Sequence, residues 1–377
     1  MAGDDDNEHY VYAIPPIPSF QCQPSDALSR LMTFVMSIGP NLENDARAND
    51  PVAIESDQIR AIVKSGRTAT IQFSKPGYTR ELLRAVNRLC VELEDKLEIR
   101  FYGHYQGHFD ASVLEELPDA HWISVDCLPA ISNEQQIGKL PKLNRLSFGV
   151  YQFNNPRFLE TVNVAQLKEL TLGRTAKRNF DLASLKDSRR LETALIEGHT
   201  NNIEILSSLP KLGKLTLTAF PKHKSLQFLS DANDLRSLRL ILGGRSSFEE
   251  FHHSALEELS VVYVRGLETI GSLHRFPCLQ SLHVENQLQI QSIDLAGASL
   301  RKVLLMNCKS LAKIDGLEHL DELFELRVSR TKLDLDALAQ RDWPPALSVL
   351  ALYSGSRKWN DATRVILDRR GYREWDI

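Results

Sequence analysis

Between residues 317 and 333 the chain reads LEHLDELFELRVSRTKL, with aliphatic side chains at Leu317, Leu320, Leu323, Leu326, Val328 and Leu333. The early steps suit a helix, but the step from Leu326 to Val328 has the period of a strand. Recurrence decides between them. The same phrase (aliphatic, two variable residues, aliphatic, one variable residue, apolar) occurs as LNRLSF (143–148), LKELTL (167–172), LETALI (191–196), LGKLTL (212–217), LRSLRL (235–240), LEELSV (256–261), LQSLHV (279–284), LRKVLL (300–305), LFELRV (323–328) and LSVLAL (347–352). The fourth residues, from Leu146 to Leu350, follow one another at intervals of 21 to 24 residues. Two weaker copies, KLEIRF with Ile99 and AHWISV with Ile123, extend the series to about twelve units. The opening stretch is therefore a returning segment (Leu317, Leu320) followed by a strand (Leu326 to Val328).

In such a strand Leu170 and Leu172 point inward, while Glu169, Thr171 and Gly173 face the other side. Stacked units pair these strands into one parallel sheet. With 21 to 24 residues per unit there is little room for a long return helix, so extended or short 3₁₀ segments are expected there. One unit cannot bury its own apolar face, so stability depends on neighbours.

This iterated L-x-x-L-x-L phrase over residues 97–355 resembles the leucine-rich repeat family, with irregular repeats of bacterial or phosphatase-regulator type. The resemblance implies an α/β solenoid, with a continuous parallel sheet on the concave face, short segments on the convex face and helical caps. It also implies a protein-interaction role, since such relatives include ribonuclease inhibitors and regulatory subunits of a protein phosphatase. The sequence departs from the family where an asparagine or cysteine is expected three residues after the last leucine. Thr175, Phe220, Gln287 and Thr331 stand there, and Cys308 alone among these fits. A regular asparagine ladder is thus not expected, and an irregular, twisted solenoid is.

The flanks suit the covering of the array's ends. TATIQF (68–73) reads as a strand, and ELLRAVNRLCVELEDK (81–96) carries a helical stripe at Leu82, Leu83, Val86, Leu89, Cys90, Val91 and Leu93. Together with a helix over 26–38 they give an N-terminal cap region, 25–96. Residues 1–24, with Pro15, Pro16 and Pro18, read as a flexible arm. Over 356–377 a C-terminal helical cap is expected, with Asn360 or Asp361 as N-cap, Gly371 as the stop, and Trp359, Tyr372 and Trp375 over the open end.

Composition narrows the function class. A net charge of −4 gives no overall field for nucleic acid or an anionic membrane, and no apolar run approaches a membrane span. The acidic start, MAGDDDNEHY, is no secretory signal, which points to a cytoplasmic protein, and a monomer is the expectation. Cys22, Cys90, Cys127, Cys278 and Cys308 are scattered and read as reduced thiols. GHYQGHFD (103–110) places His104, His108 and Asp110 close together, yet Gly103 and Gly107 disfavour the helix a metal pair would need. His252 and His253 read as loop residues. No P-loop, nucleophile elbow or kinase signature is present, so neither an enzyme nor a cofactor is expected.

Function then falls on the concave face. The variable strand positions put Arg100, Tyr102, Trp122, Asp126 and Glu197 toward one end, and Arg239, Ile241, Val262, His283, Glu285, Leu304, Met306, Arg327 and Tyr353 toward the other. Solvent-facing positions have no core reason to be apolar, and aromatics, Met and Arg are enriched in interface centres. The expectation is a non-catalytic module that binds a protein partner on this face, as an inhibitor, immunity or regulatory protein. The competing expectation is an enzyme or enzyme adaptor acting through residues 1–96.

Overall fold

The computed structural model describes residues 46–373 apart from 106, 107 and 177. The chain divides into a unit of Met1–Glu43, outside the described residues, and a unit of Asn44–Ile377 that holds everything below. The expected arm (1–24), the helix over 26–38 and Trp375 lie outside the described residues.

Among the described residues, fourteen strands form one parallel sheet in chain order: β1 Arg47–Asn49, β2 Ala69–Phe73, β3 Leu97–Tyr102, β4 Trp122–Leu128, β5 Arg145–Val150, β6 Glu169–Leu172, β7 Thr193–Glu197, β8 Lys214–Thr218, β9 Ser237–Ile241, β10 Glu258–Val262, β11 Ser281–Glu285, β12 Lys302–Met306, β13 Glu325–Ser329 and β14 Val349–Tyr353. The sheet runs two strands further upstream than the twelve phrases. From Ile71 the anchor residues pair in one unbroken row, through Ile99, Ile123, Leu146, Leu170, Ala194, Leu215, Leu238, Leu259, Leu282, Val303 and Leu326 to Leu350. All of these are buried. The register shifts once, where Val125 and Leu128 of β4 meet β5.

Backbone hydrogen bonds extend the pairing ahead of each strand. Asn144 N donates to His121 O (2.9 Å), Lys168 N to Asn144 O (2.7 Å) and Glu192 N to Lys168 O (2.8 Å), and the series continues step by step to Ser348 N on Phe324 O (3.0 Å). Behind the sheet the chain returns through ten short 3₁₀ helices among the described residues, as their length demanded. Helices serve where the connection is longer or apolar in stripes: α1 Ser56–Lys64, α2 Arg80–Leu93, α3 Leu335–Gln340 and α4 Arg357–Arg369. The α2 stripe buries Leu82, Leu83, Val86, Leu89 and Cys90, and Thr79 caps it by accepting from Leu82 N at 3.1 Å. At α4 the cap is Ser356, which accepts from Trp359 N, in place of the expected Asn360 or Asp361. Asn360 is occupied elsewhere, since its Oδ1 accepts from Ser354 N (2.9 Å). Gly371 ends that helix with φ at +86°. Tyr372 and Trp359 pack against the core.

Two local devices recur at the strand ends. Four residues beyond the anchor the backbone turns left-handed, at Gly103, Cys127, Gly198, Ala219, Leu242, Tyr263, Asn286, Asn307 and Arg330. From Gly198 onward this residue's N–H still donates to the next strand, as Ala219 N does to Ile241 O (2.8 Å). One residue later sits the position where an asparagine was expected, and other side chains hydrogen-bond to backbone there. His199 Nε2 donates to Gly173 O (2.9 Å), Gln287 Nε2 donates to Glu285 O (2.9 Å) and Val261 O (3.4 Å), and Cys308 Sγ lies 3.5 Å from Val284 O. At other repeats Phe220, Gly243 and Val264 stand at this height, so the side-chain ladder is partial and is built from whichever donors the sequence supplies.

His199 is 1% exposed, and Phe180 N donates to its Nδ1 at 3.2 Å, which fixes the neutral Nε2–H tautomer. Burial pushes its pKa down to about 4. His104 and His253 are lowered by burial as well.

Two outcomes are expected. An unfolded histidine titrates near 6.5 and takes up a proton that folded His199 refuses, so stability is complete above that value and falls as pH drops toward 4. Urea melts should show His199 removing about 2 kcal/mol between pH 7.5 and pH 5, and His199→Asn should flatten that slope; an unchanged slope would rule the assignment out. Ala219, with φ at +54°, carries left-handed strain, so Ala219→Gly should raise stability by about 1 kcal/mol in the same assay.

Candidate functional site

Side chains one and three residues beyond each anchor leave the sheet on the side away from the core. Register makes neighbours of residues 21 to 24 apart in sequence: Arg239, Ser260, His283, Leu304, Arg327 and Ala351 form one row, and Thr218, Ile241, Val262, Glu285, Met306, Ser329 and Tyr353 a second. Successive members are about 4.8 Å apart in backbone spacing.

The N-terminal end is locked by its own polar groups. Arg100 holds Asp126 with Nε and Nη2 at 2.9 and 2.8 Å to Oδ1, and Nη1 reaches Gln72 at 3.3 Å. Its guanidinium also lies 4.7 Å from the Tyr102 ring centroid. Glu98 accepts from Thr70 (2.8 Å) and from Ser124 (2.5 Å). Arg145 stacks 4.9 Å over Trp122 and faces Glu169 at 3.3 Å. In the middle, Glu197 is buried and accepts from Arg174 N at 3.1 Å, and burial holds its carboxyl above the ordinary range.

The C-terminal end is built differently. Ser260 Oγ lies 3.1 Å from His283 Nδ1, and His283 Nε2 lies 3.1 Å from Glu285 Oε2. Asn286 Nδ2 donates to Glu285 Oε1 (2.9 Å). Burial draws the Arg239 guanidinium below its ordinary value, with Glu285 acting the other way. Burial, then Glu285, raises Tyr263. Glu325 takes both Lys302 (3.0 Å) and Arg327 (2.6 Å). Leu304, Met306 and Tyr353 are half-buried beside these groups.

The expected candidates therefore separate into classes. Ile241 (1% exposed) and Val262 (4%) are buried, contrary to the expectation of exposed apolar spots. Each is a short β-branched side chain flanked by strands on both sides, and neighbours cover it. Asp126 and Glu197 are also buried, the first within its ion pair. Ser260, Glu98, Glu325 and Asn286 carry hydrogen bonds or ion pairs on this face without having been among the candidates; Ser260, Glu98 and Glu325 reach partners on neighbouring strands, 23 to 28 residues away in sequence, so local spacing held no signal for them, while Asn286 bonds the adjacent Glu285. Among the described residues no three His, Cys, Asp or Glu side chains gather as a metal group. No helix among them is long and apolar enough to cross a membrane.

One aliphatic phrase per strand from β3 to β14, stacked row on row with short returns behind, decides the architecture. The chain is a leucine-rich repeat solenoid. No protein-family model matches it, and neither does any curated protein. Solved structures similar to the solenoid include an internalin from Listeria monocytogenes (15% identity, 76% of this chain and 78% of that one, TM-score 0.43). A chain of the mouse RP105/MD-1 complex matches at 16% identity over 81% of this chain and 57% of that one (TM-score 0.45). A chain of the Drosophila Toll–Spatzle complex matches at 13% over 81% and 45% (TM-score 0.43). The solenoid spans about half the length of these last two, and at such values nothing beyond the fold is taken from them.

The Arg100–Asp126 pair gives a direct test of the locked end. The Asp126 side chain is 3% exposed, so Arg100→Ala strands a buried carboxylate and should cost about 3 kcal/mol in a denaturant melt. A loss well under that would mark the pair as an ordinary surface contact.

Proposed function

We propose that the solenoid is an interaction module that binds a protein partner on the open face of the sheet, centred on β11 to β14. Binding there would let it act as an inhibitor, immunity or regulatory protein toward that partner. The observation that carries this is the cluster of Leu304, Met306 and Tyr353, half-buried on solvent-facing strand positions and bordered by Arg327 and His283. Apolar side chains on this side do nothing for the core, and a Met, Tyr and Arg set with a charged rim is the composition of an interface centre.

Charge favours protein over nucleic acid as the occupant. Several cations of this face are matched within it: Arg100 by Asp126, and Lys302 and Arg327 by Glu325. A phosphate backbone would have to displace carboxylates to reach them, which removes the counterion-release gain that drives such binding.

Affinity capture with the full chain as bait, followed by crosslink mapping, tests the proposal. Leu304→Glu with Met306→Glu should reduce capture of a specific partner at least about tenfold, while the melting temperature stays unchanged and crosslinks in the native chain fall on β11 to β14. Capture unaffected by the double variant, or a nucleic acid recovered in place of protein, would reject it.

A further inference from the structure

We propose that Ser260, His283 and Glu285 form a hydrolytic site on the sheet, one that cleaves esters of apolar acyl groups. The three residues come from β10 and β11 and make a single chain of hydrogen bonds, Oγ to Nδ1 at 3.1 Å and Nε2 to Oε2 at 3.1 Å. Its polarity is set by chemistry. The Glu285 carboxylate only accepts, so Nε2 carries the proton and Nδ1 is left bare to accept from the Ser260 hydroxyl. Asn286 holds the other carboxylate oxygen at 2.9 Å and fixes its orientation. A nucleophile hydrogen-bonded to a base, with the base oriented by a third group, is the geometry by which an activated serine is recognised.

The surroundings supply the remaining parts. Ser260, His283 and Glu285 all reach solvent, the last two with side chains 20% and 22% exposed. Arg239 is the register partner of Ser260 on the side opposite His283. It is a permanent cation in the same row as the reacting oxygen, suited to the charge that develops on an ester carbonyl. Leu304 and Met306 are the register partners of His283 and Glu285 on the next strand. Both are half-buried and give an apolar surface for the acyl group.

In the acylation step Ser260 Oγ bonds to the ester carbonyl carbon and its proton passes to His283 Nδ1. The carbon–oxygen bond to the alcohol then breaks, and the same proton leaves with the alcohol. Water repeats the sequence, giving its proton to Nδ1 and its oxygen to the carbonyl, and releases the acid and the free serine. No oxidant, reductant or metal enters the balance. Ser260 and His283 are the catalytic residues, and Glu285 is a positioning residue.

The test uses the full chain with a fluorophosphonate probe, peptide mapping of the adduct by mass spectrometry, and p-nitrophenyl butyrate as substrate. The expected result is an adduct on Ser260 of the native chain that is absent after unfolding in urea and absent in Ser260→Ala. Butyrate hydrolysis should fall at least about a hundredfold in His283→Gln. Glu285→Gln keeps an acceptor in place, and it should lower kcat while leaving KM unchanged, which a residue that merely braces the sheet would not do. No adduct on Ser260 in the native chain, or hydrolysis that persists in Ser260→Ala, overturns the proposal. The proposal does not rest on the binding reading, because adduct formation and partner capture are separate readouts.

Discussion

Parallel pairing in strict phase, strand after strand, is the constraint on which everything else depends. Each anchor side chain is buried between its counterparts one repeat before and one repeat after, and a fully buried aliphatic is worth about 1.5–3 kcal/mol. A slip of one residue anywhere would turn an entire strand's apolar set outward. The backbone opposes such a slip at both ends of the strand. Carbonyls from His121 to Phe324 accept the incoming N–H of the following repeat, and beyond the strand the left-handed residues from Gly198 to Arg330 pass their own N–H to the next one. Because both ladders run only between neighbours, the array gains its stability step by step along the chain.

The strand ends show how loosely a fold specifies residue type when it specifies geometry tightly. A left-handed turn favours glycine or asparagine, yet Leu242, Tyr263 and Arg330 adopt it because the ladder on either side holds them there. The buried donor position is equally tolerant. Histidine, glutamine and cysteine all reach a carbonyl at that height. Their consequences differ, however. A buried neutral histidine makes the solenoid's stability depend on pH, where an asparagine would leave it indifferent.

The same logic explains what could be read from the sequence. The anchors were legible because inward residues obey a period of two within a strand and recur every 21 to 24 residues. The strand Arg47–Asn49 was not, since RAN holds no apolar alternation and it pairs only because Ala69–Phe73 offers an edge. Ser356 was hidden as a helix cap because Asn360, the better candidate by type, turned back to serve Ser354. Which face residues lie on the open side was legible from the strand period, but their exposure was not. Ile241 and Val262 are covered by side chains that the sequence places a repeat away. Nor could any local motif have announced the Ser260 and His283 contact, whose members are 23 positions apart.

The two ends of the open face have used similar residues to opposite effect. At β3 and β4 the arginine, glutamate and aspartate groups consume one another's hydrogen-bonding capacity, with Asp126 buried under Arg100 and Glu98 shared by two hydroxyls. Moving any of them to serve a ligand would first have to break a buried charged contact, a cost of several kcal/mol. At β10 to β12 the polar groups are linked in a chain that ends at a hydroxyl, and their neighbours are apolar side chains with no core duty. A hydroxyl donates one proton and accepts through two lone pairs, so Ser260 keeps accepting capacity after it has bonded to His283. The first arrangement is closed and can only stabilise the sheet, whereas the second has unused valence at its outer end. The C-terminal half of the face is for that reason where we place the proposed site.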